Sequence, residues 1–293
     1  MPLLVKLMVY YLVVPFLYLI SFLPFGLLYL LADVIAFVLR VVIGYRRKVV
    51  FENLRKSFPQ KTEAELNNIA KEFYRNLADR IVEGLKCISL SKEEILKRCP
   101  VENYNLVEGY CKQGRSVVAV LGHSGSWEMA CLSSSIYIDN YIKYSIYTAG
   151  RNQQFDDFLK RTRGRFGMQL ISMQQTPNYL RHGFGGVSVG MYLADQNHSN
   201  PKRAYWTNFL NQDTPFMTGA ARFAKAHNSV LIFVKVKQKR RGYYSIENVL
   251  LEENPADYTE QQLTEKFVHA FEEQISEKPA DWLWSHKRWK HKR

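Results

Sequence analysis

His123 and Glu128 are the pair in this sequence whose types and spacing could do chemistry. They bound the run His123-Ser-Gly-Ser-Trp-Glu128. An imidazole can take a proton from a hydroxyl, and a carboxylate behind it fixes its tautomer and stabilises the imidazolium that forms. Five positions turn a regular helix through about 500°, which leaves two side chains about 140° apart. The pair therefore meets only if His123 sits on a turn and Glu128 lies in the first turns of the next helix. Gly122 and Gly125 supply the backbone freedom for that turn. A lone His-x4-Glu spacing is common and is usually solvated or satisfied locally. The strand-like run and glycine before His123 set this one apart. Other chemistries lack their patterns. There is no His-Glu-x-x-His, no Cys/His spacing for zinc and no phosphate loop, and Ser124 and Ser126 lie outside a Gly-x-Ser-x-Gly elbow. The expectation is a reaction with no metal and no cofactor.

The elements that must position this pair can be read from periodicity. The apolar run Ser116–Leu121 reads as a buried strand that Gly122 ends. After Glu102 strands and helices alternate. Strands are expected at 144–148, 187–194, 230–236 and 243–250, the last two around the basic turn 237–241. Helices are expected at 155–166, 217–227 and 259–275. This is an α/β pattern, and ligands of such folds gather at the C-terminal ends of strands. His123 and Asp195, followed by Gln196, both fall at such ends. The helix expected after Gly122 makes the amides of Ser124, Gly125 and Ser126 candidate oxyanion donors.

Upstream the character changes. Residues Leu7–Ala32 form a 26-residue stretch without a charged side chain, interrupted by Pro15 and Pro24. That suits a kinked membrane span or a hairpin lying in one leaflet. Residues 1–43 are read as a membrane anchor and 44–293 as a helical collar followed by the catalytic domain. Arg46, Arg47 and Lys48 place the rest of the chain on the cytoplasmic side. In the collar, Val49, Phe51, Leu54 and Phe58 share one helical face, Pro59 ends it, and Thr62-Glu-Ala-Glu65 begins the next helix.

Lys and Arg number 40 against 27 Asp and Glu, a formal charge of +13 that calls for an acidic partner. Cys87, Cys99, Cys111 and Cys131 show no paired motif and read as free thiols. The ending Trp282-Leu-Trp-Ser-His-Lys-Arg-Trp-Lys-His-Lys-Arg293 mixes aromatic and cationic residues. Alone it suits a nucleic-acid arm, a membrane-interface segment or a solvated basic terminus, although the last leaves three tryptophans unexplained.

Taken together, these residues resemble the bacterial lipid A biosynthesis acyltransferases of the lysophospholipid acyltransferase superfamily, over almost the whole chain. The resemblance rests on Asn53-Leu-Arg-Lys-Ser-Phe-Pro59, the His123–Glu128 motif, Arg151-Asn152 with Phe155-Asp156, and Arg163–Gly167. Ala194-Asp-Gln196, Thr218-Gly219 and the Pro279–Lys290 ending complete it. Two blocks depart from the family: Thr148 stands where many members carry arginine, and Phe209-Leu-Asn211 replaces a block ending in glycine. The resemblance implies a glycerol-phosphate-acyltransferase-like α/β fold, a mixed sheet flanked by helices, with an N-terminal membrane-anchoring helical segment. It implies transfer of a fatty acyl group from acyl-acyl carrier protein to a hydroxyl of a lipid A precursor at the cytoplasmic face of the inner membrane. In that scheme His123 is the general base oriented by Glu128, and Arg151, Arg163, Arg165, Asp195 and Gln196 bind substrate or organise the site. No nucleic acid is expected. Two readings compete with it: acyl transfer to another glycolipid, an aminolipid or a phosphoinositide mannoside, and a basic membrane-associated binding protein without catalysis.

Overall fold

A computed structural model of the chain describes residues 3–150, 152–197 and 201–293. The apolar N-terminal stretch is two helices, α1 (Leu3–Phe22) and α2 (Phe25–Phe37), and α2 continues through a π-helical turn at Val38–Val42. Helix α1 runs through Pro15, and the break comes at Pro24, which supplies the N-cap of α2. Pro24 has no N–H to donate and disfavours a helical conformation at Leu23, so the chain turns there. Helix α2 lies against the fourth helix through Leu28 and Ala32, which meet Ala78 and Val82. Among the described residues, sixteen of twenty exposed large apolar side chains fall between Tyr11 and Tyr45, so the hairpin keeps an extensive apolar face outside the core.

The collar is α3 (Arg47–Ser57) and α4 (Glu63–Lys86), as its spacing predicts. Thr62 and Glu65 close a capping box on α4, each bonding the other's backbone N–H. Short helices α5 (Lys92–Arg98) and α6 (Tyr104–Lys112) lead to strand β1 (Val117–Leu121). Then alternate α7 (Trp127–Tyr137), β2 (Ile142–Tyr147), α8 (Gln153–Gly164), β3 (Gln169–Ser172), α9 (Thr176–His182) and β4 (Ser188–Leu193). A hairpin of β5 (Tyr205–Phe209) and β6 (Gln212–Phe216) precedes α10 (Gly219–Ala226). Strands β7 (Val230–Arg240) and β8 (Tyr243–Glu252) and helix α11 (Glu260–Glu277) come last.

The main sheet has the order β3-β2-β4-β1-β7-β8, parallel except for β8, which runs antiparallel to β7 at one edge. Every residue of β1 is buried, because helices cover both faces of a parallel sheet. Val118 and Val120 face α3, α4, α10 and α11, whereas Val117, Ala119 and Leu121 face α5, α6 and α7. The architecture is a mixed α/β fold with a six-stranded sheet between helical layers.

The β5–β6 hairpin, with β3 and α9, was not anticipated. It turns on Leu210 and Asn211, both at positive φ (51° and 64°), as a two-residue hairpin turn requires. Non-glycine residues there are strained, and two contacts hold them. Glu272 accepts the Leu210 N–H at 2.6 Å, and the Asn211 amide donates to the Ser57 carbonyl at 3.1 Å.

The C-terminal segment is neither a solvated terminus nor an arm. Trp282, Trp284 and Arg288 are among the largest fully buried side chains in the molecule. Asn53 on α3 donates to the carbonyls of Trp284 (2.9 Å) and His286 (3.1 Å). Arg288 donates to Asn197 (3.0 Å) and to the Pro215 carbonyl (2.8 Å), and its guanidinium lies over the Phe216 ring. The tryptophans fill the core between collar and sheet, which accounts for an aromatic content that a solvated tail would not need.

Candidate active site

Register brings the first two site residues together. Leu121 on β1 pairs with Leu193 on β4, and the Ala194 N–H donates to the Leu121 carbonyl at 3.2 Å. Two residues beyond each strand end, His123 and Asp195 therefore stand side by side. Asp195 Oδ1 is 2.7 Å from His123 Nδ1. Asp195 Oδ2 accepts the His123 backbone N–H and the Trp282 indole N–H, each at 2.9 Å. Gly122 makes this approach possible: a Cβ there would meet the Phe271 ring at 3.0 Å and Asp195 Oδ2 at 3.3 Å. Burial alone would raise the Asp195 carboxyl. The charge of His123 and the hydrogen bonds from His123 and Trp282 prevail and hold it down at about 2. An ionised Asp195 accepts from Nδ1–H, which leaves the lone pair of the neutral imidazole on Nε2.

The carboxylate against His123 is thus Asp195 and not Glu128. Glu128 lies in the first turn of α7. There it is gripped by Arg163 of α8, whose Nε donates to Oε2 at 3.0 Å while a second guanidinium nitrogen takes Oε1. The Arg163 guanidinium also stands over the Trp127 ring, whose edge-on neighbour is His123 with centroids 5.0 Å apart. Helical geometry explains the correction. Glu128 projects from α7 toward α8, whereas the side that faces His123 is filled by the end of β4.

A cavity of about 450 Å³ opens at this point. His123, Trp127, Glu128, Arg163 and Arg80 line its polar end. Its remaining walls are largely apolar, including Leu17 of α1, Ile81 and Leu85 of α4, and Phe155 and Phe158 of α8. Helix α1 seals it by edge-on contacts of Tyr10 with Phe155 and Tyr18 with Phe158. Beneath the His123 loop, the buried Glu83 accepts hydroxyls from Tyr29 (2.9 Å) and Tyr244 (2.9 Å), with the Ser126 hydroxyl beside it. Burial pushes its carboxyl up to about 7.

The other expected residues separate. Ser124 and Ser126 are buried in the loop, and the Gly125 amide is already donated to the Asp281 carbonyl at 3.3 Å, which removes it as an oxyanion donor. Helix α7 begins without a side-chain cap. Arg165 points away from the cavity and donates to the Leu90 carbonyl. Gln196 is half-buried and does not line the cavity. Arg151 lies outside the described residues. Sequence reasoning missed Arg80, an arginine in an amphipathic helix with no motif around it. It also missed the part of Trp282, whose segment it singled out but whose contact with Asp195 arises only on folding.

Comparison with known proteins places this geometry in context. A family model described as "Bacterial lipid A biosynthesis acyltransferase" matches residues 2–291. A search of curated proteins found no match.

Proposed function

We propose, from the premise that the chain belongs to the bacterial lipid A biosynthesis acyltransferase family and is an acyltransferase, a direct transfer run by His123 and Asp195. The donor is acyl-acyl carrier protein, and the acceptor is a 3-hydroxyl on an acyl chain of a lipid A precursor. The observation that supports this most is the His123–Asp195 pair at the polar end of an apolar cavity. Nε2 of His123 takes the acceptor hydroxyl proton as the oxygen attacks the thioester carbonyl carbon. The carbonyl electrons move to oxygen. As the tetrahedral state collapses, the carbon–sulfur bond breaks and the thiolate takes the proton back from Nε2. The products are ester and thiol, with no acyl-enzyme between. Asp195 fixes the tautomer and stabilises the imidazolium. The Glu128–Arg163 pair shapes the cavity wall and fixes Trp127 against His123.

The exposed apolar hairpin suits an anchor in the inner membrane, with the site at the cytoplasmic face, and its Leu17 wall would let an acyl chain pass from the bilayer into the cavity. A charge of +13 suits both an acidic carrier protein and an anionic glycolipid. The test is mass spectrometry of a lipid A precursor incubated with acyl-acyl carrier protein and membranes holding the chain. A gain of one acyl mass is the expected result. No gain on this acceptor, with gain on an aminolipid or a phosphoinositide mannoside, would move the reading to those acceptors.

A further inference from the structure

Arg80 is a half-buried cation that the His123–Asp195 transfer leaves idle. It lies on α4 and lines the cavity beside His123. One terminal guanidinium nitrogen, Nη2, donates to the Asp281 carbonyl, the same oxygen that accepts the Gly125 N–H at 3.3 Å. One shared acceptor thus ties the guanidinium to the loop two residues after His123. The other terminal nitrogen, Nη1, is shielded from solvent and has no hydrogen-bond partner among the described residues.

No carboxylate among the described residues forms an ion pair with it. The Asp281 carboxylate is taken by Asn76 at 2.7 Å and Lys278 at 3.3 Å. Glu83, one turn along α4, is engaged by Tyr29 and Tyr244. Burial lowers the Arg80 guanidinium accordingly. A half-buried guanidinium held by one backbone carbonyl and by no carboxylate keeps its charge uncompensated, so it favours negative charge that comes to meet it. The cavity in front of it is where the reaction creates such charge.

We propose that Arg80 is a catalytic residue for the transfer: its guanidinium, at the cavity wall beside His123, binds the carbonyl oxygen of the acyl thioester and holds the negative charge that oxygen gains. This role rests on the acyl-transfer function proposed for the site. When the acceptor oxygen bonds to the carbonyl carbon, the π electrons pass to the oxygen held by Arg80, and the acceptor proton passes to His123. When the carbon–sulfur bond breaks, the electrons return to re-form the carbonyl and the thiolate leaves with the proton from His123. Arg80 neither gains nor loses a proton. It fills the place that the engaged Gly125 amide cannot.

The test uses the full chain in membranes, with acyl-acyl carrier protein and a lipid A precursor. It compares wild type with Arg80→Ala, Arg80→Lys and Arg80→Gln. Gln keeps an N–H for the Asp281 carbonyl and so guards against misfolding. Removing one oxyanion donor lowers kcat by about 10²–10³-fold. The expected result is a fall of that size for Ala and Gln, a smaller fall for Lys, KM values within about threefold of wild type, an unshifted pH profile and partial rescue of Ala by added guanidinium. A kcat within threefold of wild type for Gln would overturn the proposal. So would a rise in acceptor KM with kcat intact, which would assign Arg80 to a headgroup phosphate. If wild type itself transfers no acyl group from the thioester, the functional reading falls and this role with it.

Discussion

Asp195 receives a ring N–H, a backbone N–H and an indole N–H, and each favours its ionised form. Its carboxyl lies near 2, below the ordinary value of 3.8. A depressed carboxylate adds stability that is whole above its unfolded value and is lost as pH falls through the folded one. That contribution, on the order of 2 kcal/mol, should vanish between about pH 4 and pH 2. Thermal melts of Asp195→Asn should lack that part of the acid-dependent loss. Glu83 has the opposite sign. Its folded value near 7 exceeds the ordinary 4.5, so stability falls as pH rises between those values. Glu83→Gln should gain on wild type, by on the order of 3 kcal/mol, between pH 5 and pH 8. Melting temperatures across that range check it, and a constant difference would contradict it. At this scale the sequence announced His123, and it marked Asp195 by its place at a strand end. It did not announce their pairing. That depends on β1 and β4 being neighbours, although β2 and β3 come between them in the chain.

Elements with strong local patterns were legible in advance: the capped start of α4, the long helix α11, the alternation around β1, and the β7–β8 pair. The β5–β6 hairpin was hidden because its turn has no glycine and depends on Glu272 from α11 and Ser57 from α3. Strand β3 is four residues at a sheet edge, too short to show a period. The C-terminal segment misleads by composition, since its cations suggest a surface and its tryptophans form core. Two substitutions separate packing from chemistry there. Trp284→Ala empties a fully buried site and should cost about 3–5 kcal/mol, seen as a large fall in melting temperature. Trp282→Phe keeps an aromatic ring but removes the N–H to Asp195. It should cost about 1 kcal/mol in stability while lowering kcat about tenfold through a less well fixed carboxylate. Equal effects on stability and rate from both variants would contradict that separation.

The whole molecule couples an apolar hairpin to a polar site. Tyr29 of α2 reaches Glu83 beneath the His123 loop, Leu17 of α1 lines the cavity, and Arg241 bridges Asp33 of α2 to Asp79 of α4. A chain beginning at residue 44 should therefore lose binding to zwitterionic phospholipid vesicles, where its basic charge does not help, and also melt at a lower temperature. Co-sedimentation and thermal melts measure the two effects. An undiminished melting temperature would make the hairpin a detachable anchor. The central claim is that His123 is the base and Asp195 its carboxylate. Its most direct test is a double-mutant cycle on acyl transfer by membrane-held enzyme, using His123→Ala, Asp195→Asn and both together. Loss of His123 should abolish transfer and Asp195→Asn should lower kcat by about 10²–10⁴-fold, with the double variant no worse than His123→Ala. Transfer within tenfold of wild type by His123→Ala, or independent multiplying losses in the double variant, would contradict it.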